Sequence, residues 1–520
     1  MNLTRALGSV GGLTLASRVL GLVRDSLFAR FIGASFASDA FLVAFRLPNL
    51  FRALFAEGAF SAAFIPMFNR KMGEKDGGLP NAITFAEDAL SVLLPILIVM
   101  TIVMELAAWP VTYLLSGGFK NPGPGEFAFA VELSRITFPY LLLISLVSLL
   151  GGILNSLQKF WVNAAAPILL NATLIAALLL FHTDPLGTAR NQAIAVTVSG
   201  ALQLLWLVLA CRASGVKLRL RLPRLNPDVK KLLALIWPAA AGAGAVQINL
   251  VISTALAASL LPEGSVSYIY YADRLNQLPL GLIGIGLGTV LLPTISRQLG
   301  LGHEADAMET QNRGTELALF FTLPATVALI VCGAPIVAAL FQHGAFTAAD
   351  TYATAGALAA FSVGLPAYIL VKVLTPGYYA RSDTKTPVRY ATISIAINLA
   401  LNLAFIVPLR HLGPPLATAL ASCVNVFLLY RTLRQRGHFV PDPRLRRRAL
   451  RLLGAALLMG VAMYLLNHLF TPYTTGPSLT RWMAMFVLVG TGGLVYAVAC
   501  FLLRAYTAAD LRMMFRRTPV

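Results

Sequence analysis

Eight basic residues of this chain lie inside long apolar segments. A charge at bilayer depth costs roughly 2.5 kcal/mol or more, so it normally faces a protein interior or a water-filled cavity. Most of the eight lie in the first two apolar segments, and the others follow in later ones: Arg18, Arg24, Arg30, Arg46, Arg52, Arg135, Arg274 and Lys372. This distribution predicts a central, water-accessible, cationic cavity and therefore an anionic substrate.

Acidic residues accompany these cations and leave two interpretations open. Asp39, Arg46 and Glu57 fall on one face of an ideal helix, at about 100° per residue. The charges either form structural ion pairs or serve a substrate. The pairs would be Arg24 or Arg18 with Asp25, Arg46 with Asp39, and Arg52 with Glu57.

The numbers of the two charge types favour a role in substrate binding. The core set holds six cations and four acids, so the surplus cations need a counter-anion, and the fork of a guanidinium suits phosphate. We therefore predict substrate binding by Arg18, Arg24, Arg46, Arg52, Arg274 and Lys372. We predict gating or coupling by Asp25, Asp39, Glu57 and Asp273. Arg30 and Arg135 lie nearer the ends of their segments, where long side chains reach the interface.

The elements that must position these residues are membrane helices. The chain has 520 residues, of which 57% are hydrophobic and 12% charged, whereas soluble domains carry about 25% charged residues. Apolar stretches recur along nearly the whole length. We predict an all-α polytopic membrane protein with about fourteen transmembrane helices: 10–33, 37–69, 85–115, 128–156, 160–181, 190–211, 233–261, 266–296, 314–342, 350–380, 388–409, 414–431, 450–468 and 482–503.

The basic residues outside these spans predict the orientation. With the N-terminus inside, 29 of the 41 Lys and Arg fall in inner segments and four in outer ones, so the N- and C-termini are both cytoplasmic by the positive-inside rule. Two inner loops, 212–231 and 431–451, carry most of this charge, which we attribute to topology and anionic lipid rather than to nucleic acid. Arg18, Arg24 and Asp25 interrupt the first apolar run, so we interpret it as a span and not as a cleaved signal peptide.

A weak internal repeat with an offset of 227 residues predicts the domains. Its matches include Pro139 with Pro366 and Asn171 with Asn398. Because each repeat contains six spans, we expect two pseudo-symmetric lobes with the substrate site between them, 1–225 and 226–440, followed by two extra C-terminal helices in 441–520. Within the second span, Pro48 should break the helix and free Arg52 to turn toward the cavity.

Motifs of soluble enzymes and of cofactor sites are missing from the sequence. There is no phosphate-binding loop for ATP hydrolysis and no His or Cys spacing for a metal, so we predict a transporter without cofactor. Coupling to a monovalent ion stays open, with Asn398 and Asn402 serving either a sodium site or helix packing. The four cysteines lie in or at the ends of apolar spans and are predicted to be packing residues.

Several segments resemble the MurJ (MviN) lipid II flippases, a family of the MOP exporter superfamily that also contains the MATE transporters. The similar segments are 17–25, 38–41, 46–52, 55–61, 270–275, 371–374 and 385–388, and the resemblance extends over essentially the whole chain. It implies functional charges at Arg18, Arg24, Arg52 and Arg274, together with the acids Asp39 and Glu57. Some relatives carry an acid where this chain has Gln277.

The resemblance also implies an activity. Such a protein transfers undecaprenyl-pyrophosphate-linked peptidoglycan precursor, lipid II, from the inner to the outer leaflet of the bacterial cytoplasmic membrane by alternating access. The partners implied are lipid II, membrane lipids and other cell-wall synthesis proteins. The alternatives are a MATE-like cation-coupled exporter, which would need an acidic or aromatic cavity, and a flippase for another polyprenyl-pyrophosphate-linked glycan. A scaffold without transport would leave the intramembrane charges unexplained.

Overall fold

The computed structural model describes residues 3–56, 59–74, 78–470, 472 and 476–505, without the side chains of residues 3–10, 54–56, 59, 237–246, 285 and 289. Regular structure in these ranges is helical throughout. The first helices are α1 Leu3–Ile32, α2 Phe36–Ala56, α3 Ala59–Met72, α4 Gly78–Leu106, α5 Ala108–Ser116, α6 Glu126–Thr137, α7 Pro139–Ser156, α8 Phe160–Leu180, α9 Pro185–Ala213 and α10 Pro227–Leu260.

The later helices are α11 Ser265–Gly300, α12 Glu304–Val331, α13 Gly333–Phe341, α14 Ala348–Val363, α15 Leu365–Tyr379, α16 Lys385–Leu409, α17 Gly413–Gln435, α18 Pro443–Leu469 and α19 Ser478–Leu502. Ten helical stretches among the described residues are long and apolar enough to cross a membrane. The all-α membrane fold is therefore confirmed, while the count of fourteen spans stays a prediction. The helices α1 and α2, which carry five of the eight predicted intramembrane charges, are not among the ten.

The chain divides into two compact units. Unit 1 comprises Met1–Ser267 with Gly344–Phe346, and unit 2 comprises Tyr268–His343 with Thr347–Val520. In unit 1, α1 packs on α8, and α2 packs on α6 and α7. The helix α10, which the repeat assigns to the second lobe, packs in unit 1 against α2, α3 and α5. The lobes were defined by the repeat and not by packing, and they stay a prediction.

Helix interruptions recur at similar offsets in the two units. A nine-residue helix follows the break after α4, and another follows the break after α12. Pro139 begins α7, and Pro366 lies in the first turn of α15. Proline is tolerated there because the first N–H groups of a helix have no intrahelical partner. The recurrence supports the internal repeat. Pro48, in contrast, lies inside a continuous α2, so the predicted break of that helix is wrong.

Some of the arginines in the basic segment 431–451 form structural ion pairs. In unit 2 the buried carboxylate of Glu316, on α12, forms ion pairs with Arg313, Arg444 and Arg448. Arg444 and Arg448 belong to the first turns of α18, so these pairs fix that helix on α12. The cysteines Cys211, Cys332 and Cys500 are buried as predicted, whereas Cys423 is exposed, so its prediction as a packing residue is wrong.

Candidate functional site

Arg24 and Asp25 form a buried ion pair in α1. Arg24 is 9% exposed and Asp25 is 4% exposed. The Nε and Nη2 groups of Arg24 donate to Oδ1 of Asp25 at 3.0 and 2.6 Å. This is the pairing that the sequence offered as the structural interpretation. It neutralises the guanidinium in the conformation described here.

A side chain of α8 completes this cluster. Arg24 Nη1 donates to the Asn171 side-chain oxygen at 3.1 Å, and the Asn171 amide donates to the backbone carbonyl of Ser17 at 3.0 Å. Gly21 faces Asn171, where an added Cβ would lie 3.8 Å from the amide nitrogen. Asn171 therefore fixes the buried arginine and the backbone of α1 together. Arg18, one turn and a half earlier in α1, is exposed.

The carboxylate of Asp39 caps the N-terminus of α11. Asp39 is 4% exposed and accepts from the backbone N–H of Gly264 at 2.8 Å and of Ser267 at 2.9 Å. The Ser267 hydroxyl donates to the same carboxylate at 2.6 Å. The first N–H groups of a helix lack intrahelical partners and carry a partial positive charge, so a carboxylate is stabilising there. Asp39 therefore acts as a cap supplied by another helix.

A second contact is made by the turn between α1 and α2, which we call the α1–α2 corner. The backbone N–H of Ala345 donates to the carbonyl of Arg30 at 2.9 Å. Gly33 has a φ of +71°, and a Cβ there would lie 2.7 Å from the carbonyl oxygen of Ala345. Both contacts lie in segments that the predicted topology places outside. They join the α1–α2 corner to the 263–267 and 344–346 segments of unit 1.

Arg46 contacts α10 and not the predicted partner Asp39. Its Nη2 donates to the hydroxyl of Thr254 at 2.6 Å and to the carbonyl of Leu250 at 3.3 Å. The carboxylate of Asp39 is meanwhile satisfied by Gly264 and Ser267. The alternative of an Asp39–Arg46 pair is therefore wrong for this conformation. Arg46 ties α2 to α10 through neutral acceptors.

Arg52 lies half-buried near the end of α2. Its Nε donates to the side-chain oxygen of Asn49, one turn earlier, at 3.0 Å. The predicted partner Glu57 lies outside the residues that the structure describes, so the role predicted for Glu57 stays a prediction. Arg52 therefore has at least one local contact within its own helix.

Unit 2 holds the other predicted charges on α11 and α15. Arg274 stacks on Tyr270, with 5.0 Å from the guanidinium carbon to the ring centroid, and its Nε and Nη2 donate to the phenol oxygen at 3.1 Å. The Gln277 amide donates to Asp273 at 2.5 Å. The side chain of Lys372 lies against Gly284, where an added Cβ would be 2.8 Å from the ammonium nitrogen. Arg274, Asp273 and Lys372 therefore all lie on or against α11.

The described residues offer no cluster of three or more His, Cys, Asp and Glu side chains that could hold a metal ion. Asn398 and Asn402 are buried in α16. Asn398 donates to the Thr418 hydroxyl at 3.1 Å, and that hydroxyl donates to the carbonyl of Pro414 at 2.9 Å. These hydrogen bonds link α16 to α17. They also place neutral oxygen atoms, the ligand type of a sodium site, close together.

The family of the chain follows from its similarity to known proteins. A family model described as "Lipid II flippase MurJ" matches residues 28–483. The chain belongs to this family. A protein of Rhizobium tropici named "Probable lipid II flippase MurJ" is 41% identical over 523 residues, which cover 99% of this chain and 97% of the relative.

Solved structures give the same fold. One described as "Lipid II flippase MurJ, inward closed conformation" is 26% identical with a TM-score of 0.79, covering 98% of this chain and 99% of that chain. A MATE multidrug transporter of the MOP superfamily in an inward-facing conformation is 15% identical with a TM-score of 0.66, covering 81% of this chain and 94% of that chain. The second likeness shows a shared fold alone.

Membership of the family leaves the site residues to be argued from the geometry. The structure brings Arg24 and Asp25 together, and it places Arg274, Asp273 and Lys372 along one helix. It adds partners that sequence reasoning missed: Asn171, Thr254, Ser267 and Gly284. Only Asn171 left a signal, because it is a matched position of the internal repeat.

Proposed function

We propose that this chain is a lipid II flippase, which carries the undecaprenyl-pyrophosphate-linked peptidoglycan precursor from the inner to the outer leaflet by alternating access. Family membership over residues 28–483 carries the proposal. The intramembrane cations fit it, because a pyrophosphate is the part of the substrate that hydrocarbon rejects most strongly. The polyprenyl tail stays in the apolar phase throughout, so only the head group needs a polar path.

The cations have distinct parts in this proposal. Five cations contact the head group: Arg18, Arg46, Arg52, Arg274 and Lys372. Arg24 is at first paired with Asp25, and it pairs with the pyrophosphate instead when the substrate binds. The exchange keeps the guanidinium paired with an anion throughout. The buried Asp25 carboxylate must be neutralised by a proton or another cation when Arg24 leaves, because a buried charge left without a partner is strongly destabilising. Guanidinium groups add a two-pronged contact to phosphate that an ammonium lacks.

Asp39 serves as a closing contact at the outer end. It lies near the predicted outer mouth, and its carboxylate satisfies the first turn of α11. Release of that cap would expose the unpaired N–H groups to water when the outer end opens, so the contact biases the chain toward the closed outer end. Asp25, Glu57 and Asp273 are proposed to couple substrate binding to this change.

The proposal includes the orientation of the chain in the membrane and the energy source for transport. We place both termini in the cytoplasm and the chain in the bacterial cytoplasmic membrane, with cell-wall synthesis proteins as partners. The membrane potential supplies about 2.3 kcal/mol per charge per 100 mV, which is adequate to drive the movement of a charged head group. A monovalent cation near Asn398 and Asn402 is the alternative driver, and a dependence of transport on sodium at constant potential separates the two.

The decisive experiment is a leaflet-resolved assay of labelled lipid II in cells depleted of the endogenous flippase and supplied with this chain. Labelled precursor should reach the outer leaflet with the wild-type chain. It should stay inside with Arg52→Ala or Arg274→Ala, while both variants are present in the membrane at normal levels. An outer-leaflet signal that is independent of this chain contradicts the proposal. Export of a cationic drug without precursor transfer would favour the MATE-like alternative.

A further inference from the structure

The side chain of Lys372 lies directly across the backbone of Gly284. A Cβ built at Gly284 would lie 2.8 Å from the ammonium nitrogen of Lys372, 2.9 Å from its Cδ and 3.3 Å from its Cε. Atoms of different side chains do not approach a real Cβ so closely. The last three atoms of the lysine therefore occupy the space that any side chain at position 284 would need.

The lysine crosses α11 where that helix packs on α15. Ile283 and Leu287 of α11 form a buried apolar cluster with Ile369 and Val373 of α15. Gly284 itself is buried, whereas Lys372 is exposed. The side chain of Lys372 therefore covers the backbone of α11 at Gly284 while it stays accessible to a ligand.

Gly284 differs from two neighbouring glycines of α11, because a side chain at either of those positions would not meet Lys372. A Cβ at Gly286 or at Gly288 would meet no atom of the described residues within 4 Å. All three glycines lie inside α11, where alanine is the better helix former. Helix formation alone therefore cannot account for the close contact at Gly284, and Gly288, one turn later, provides a matched comparison.

We propose that Gly284 is a positioning residue for substrate transfer: its missing side chain lets the Lys372 ammonium lie against α11, where it meets the anionic head group. This inference rests on the proposed function. It adds a residue without charge to the substrate-handling set, and it makes the position of the lysine, not only its presence, a requirement for head-group binding.

The contact also determines what a substitution would do. The atoms that collide with a Cβ at 284 are the far end of a flexible side chain, so the lysine can move away while the helices stay in place. Gly284→Ala should therefore preserve the fold and displace the ammonium. Displacements of about 1 Å at a binding group are sufficient to cause losses of up to about 100-fold.

Binding of fluorescent lipid II to the purified full-length chain in nanodiscs of phosphatidylethanolamine and phosphatidylglycerol tests the inference. Four variants are compared with the wild type: Gly284→Ala, Gly288→Ala, Lys372→Met and the double variant Gly284→Ala with Lys372→Met. Gly284→Ala and Lys372→Met should each weaken binding at least about fivefold. Gly288→Ala should bind as the wild type does, and all variants should keep the wild-type melting temperature within a few degrees.

The double variant separates positioning from packing. It should bind no more weakly than Lys372→Met alone, because without the ammonium there is nothing left to displace. Equal binding by Gly284→Ala and Gly288→Ala, or a further loss in the double variant, would overturn the inference. Wild-type binding by Lys372→Met would overturn it as well. Failure of the wild-type chain itself to bind lipid II would instead contradict the proposed function.

Discussion

Asp39 on α2 accepts hydrogen bonds from both the backbone N–H and the hydroxyl of Ser267, at 2.9 and 2.6 Å. The two residues are 228 positions apart in the chain. Ser267 lies in the first turn of α11, whose first three residues belong to unit 1 while the rest belongs to unit 2. A single carboxylate thus holds the first turn of α11 in place within unit 1.

Asp39→Asn should weaken this cap strongly. The asparagine amide places a donor opposite an N–H donor, so at least one of the three bonds is lost. Hydrogen bonds to a charged group contribute about 1.5–3 kcal/mol each, and a loss of that size should be visible in the thermal unfolding of the purified chain. Ser267→Ala removes the hydroxyl contacts to Asp39 and Ser38 but leaves both backbone N–H bonds to the carboxylate, so it should cost less and serves as the control.

The same contact predicts how Asp39 and Arg46 behave together. Because Arg46 bonds Thr254 and Leu250 instead of Asp39, the double variant Asp39→Asn with Arg46→Gln should not restore growth beyond the single variants. Complementation of a depleted strain, with protein levels checked, is the measurement. Full growth of the double variant would show that the two charges only neutralise each other during transport.

Arg24→Ala should lower both stability and transport. It leaves the buried Asp25 carboxylate without its partner, which costs about 3–5 kcal/mol in other proteins, and it removes the donor to Asn171. Loss of growth by this variant alone therefore does not identify a substrate contact. Melting temperature and membrane level must be measured together with complementation.

The variant Arg24→Ala with Asp25→Asn isolates the substrate role. Removing both charges leaves no buried ion, so most of the stability should return. Transport of labelled lipid II should stay lost, because the pyrophosphate no longer meets a guanidinium at this place. If the double variant both folds and supports wild-type transport, then Arg24 serves only as half of a structural pair.

The sequence was sufficient for the class of fold, because the length of apolar segments is a local property. It also offered the Arg24–Asp25 pair, whose members are adjacent in the chain, but it was insufficient for the partners of Asp39 and Lys372. Nothing in the spacing around Asp39 points to Ser267, and nothing around Lys372 points to Gly284, because both contacts depend on how separate helices pack. At Pro48 the local preference of proline predicts a break in the helix. The helix is nevertheless continuous, and it packs on α6 and α7.

The segment 385–388, which resembles the family, begins next to an acid that holds it in place. Asp383 accepts from the backbone N–H and the hydroxyl of Thr386, at 3.0 and 2.7 Å, and from Arg436 at 2.7 Å. These bonds lower the pKa of the Asp383 carboxyl from 3.8 to about 2, with the Thr386 hydroxyl contributing most. The motif therefore fixes the beginning of α16 and its contact with Arg436.

Asp383→Asn should lower the melting temperature at neutral pH and have little effect on lipid II transport. The folded pKa lies below the unfolded value, so the stabilisation by Asp383 is fully present above about pH 4 and is lost as the pH falls toward 2. The difference in melting temperature between wild type and variant should accordingly shrink below pH 4. Asp306→Asn, at a side chain that is 59% exposed, is the control and should show no such difference. A difference that persists unchanged at pH 2.5 would contradict this role.

Single-cysteine labelling of intact cells tests the orientation that the charge distribution predicts. The background lacks the four native cysteines, so that only the introduced thiol can be labelled. Arg219→Cys, in the exposed segment between α9 and α10, should be protected from a membrane-impermeant maleimide until the membrane is permeabilised. Pro124→Cys, exposed before α6, should react in intact cells, because the predicted topology places this segment in an outer loop. The opposite pattern at the two sites would reverse the orientation and would place the Asp39 contact at the cytoplasmic end of the chain.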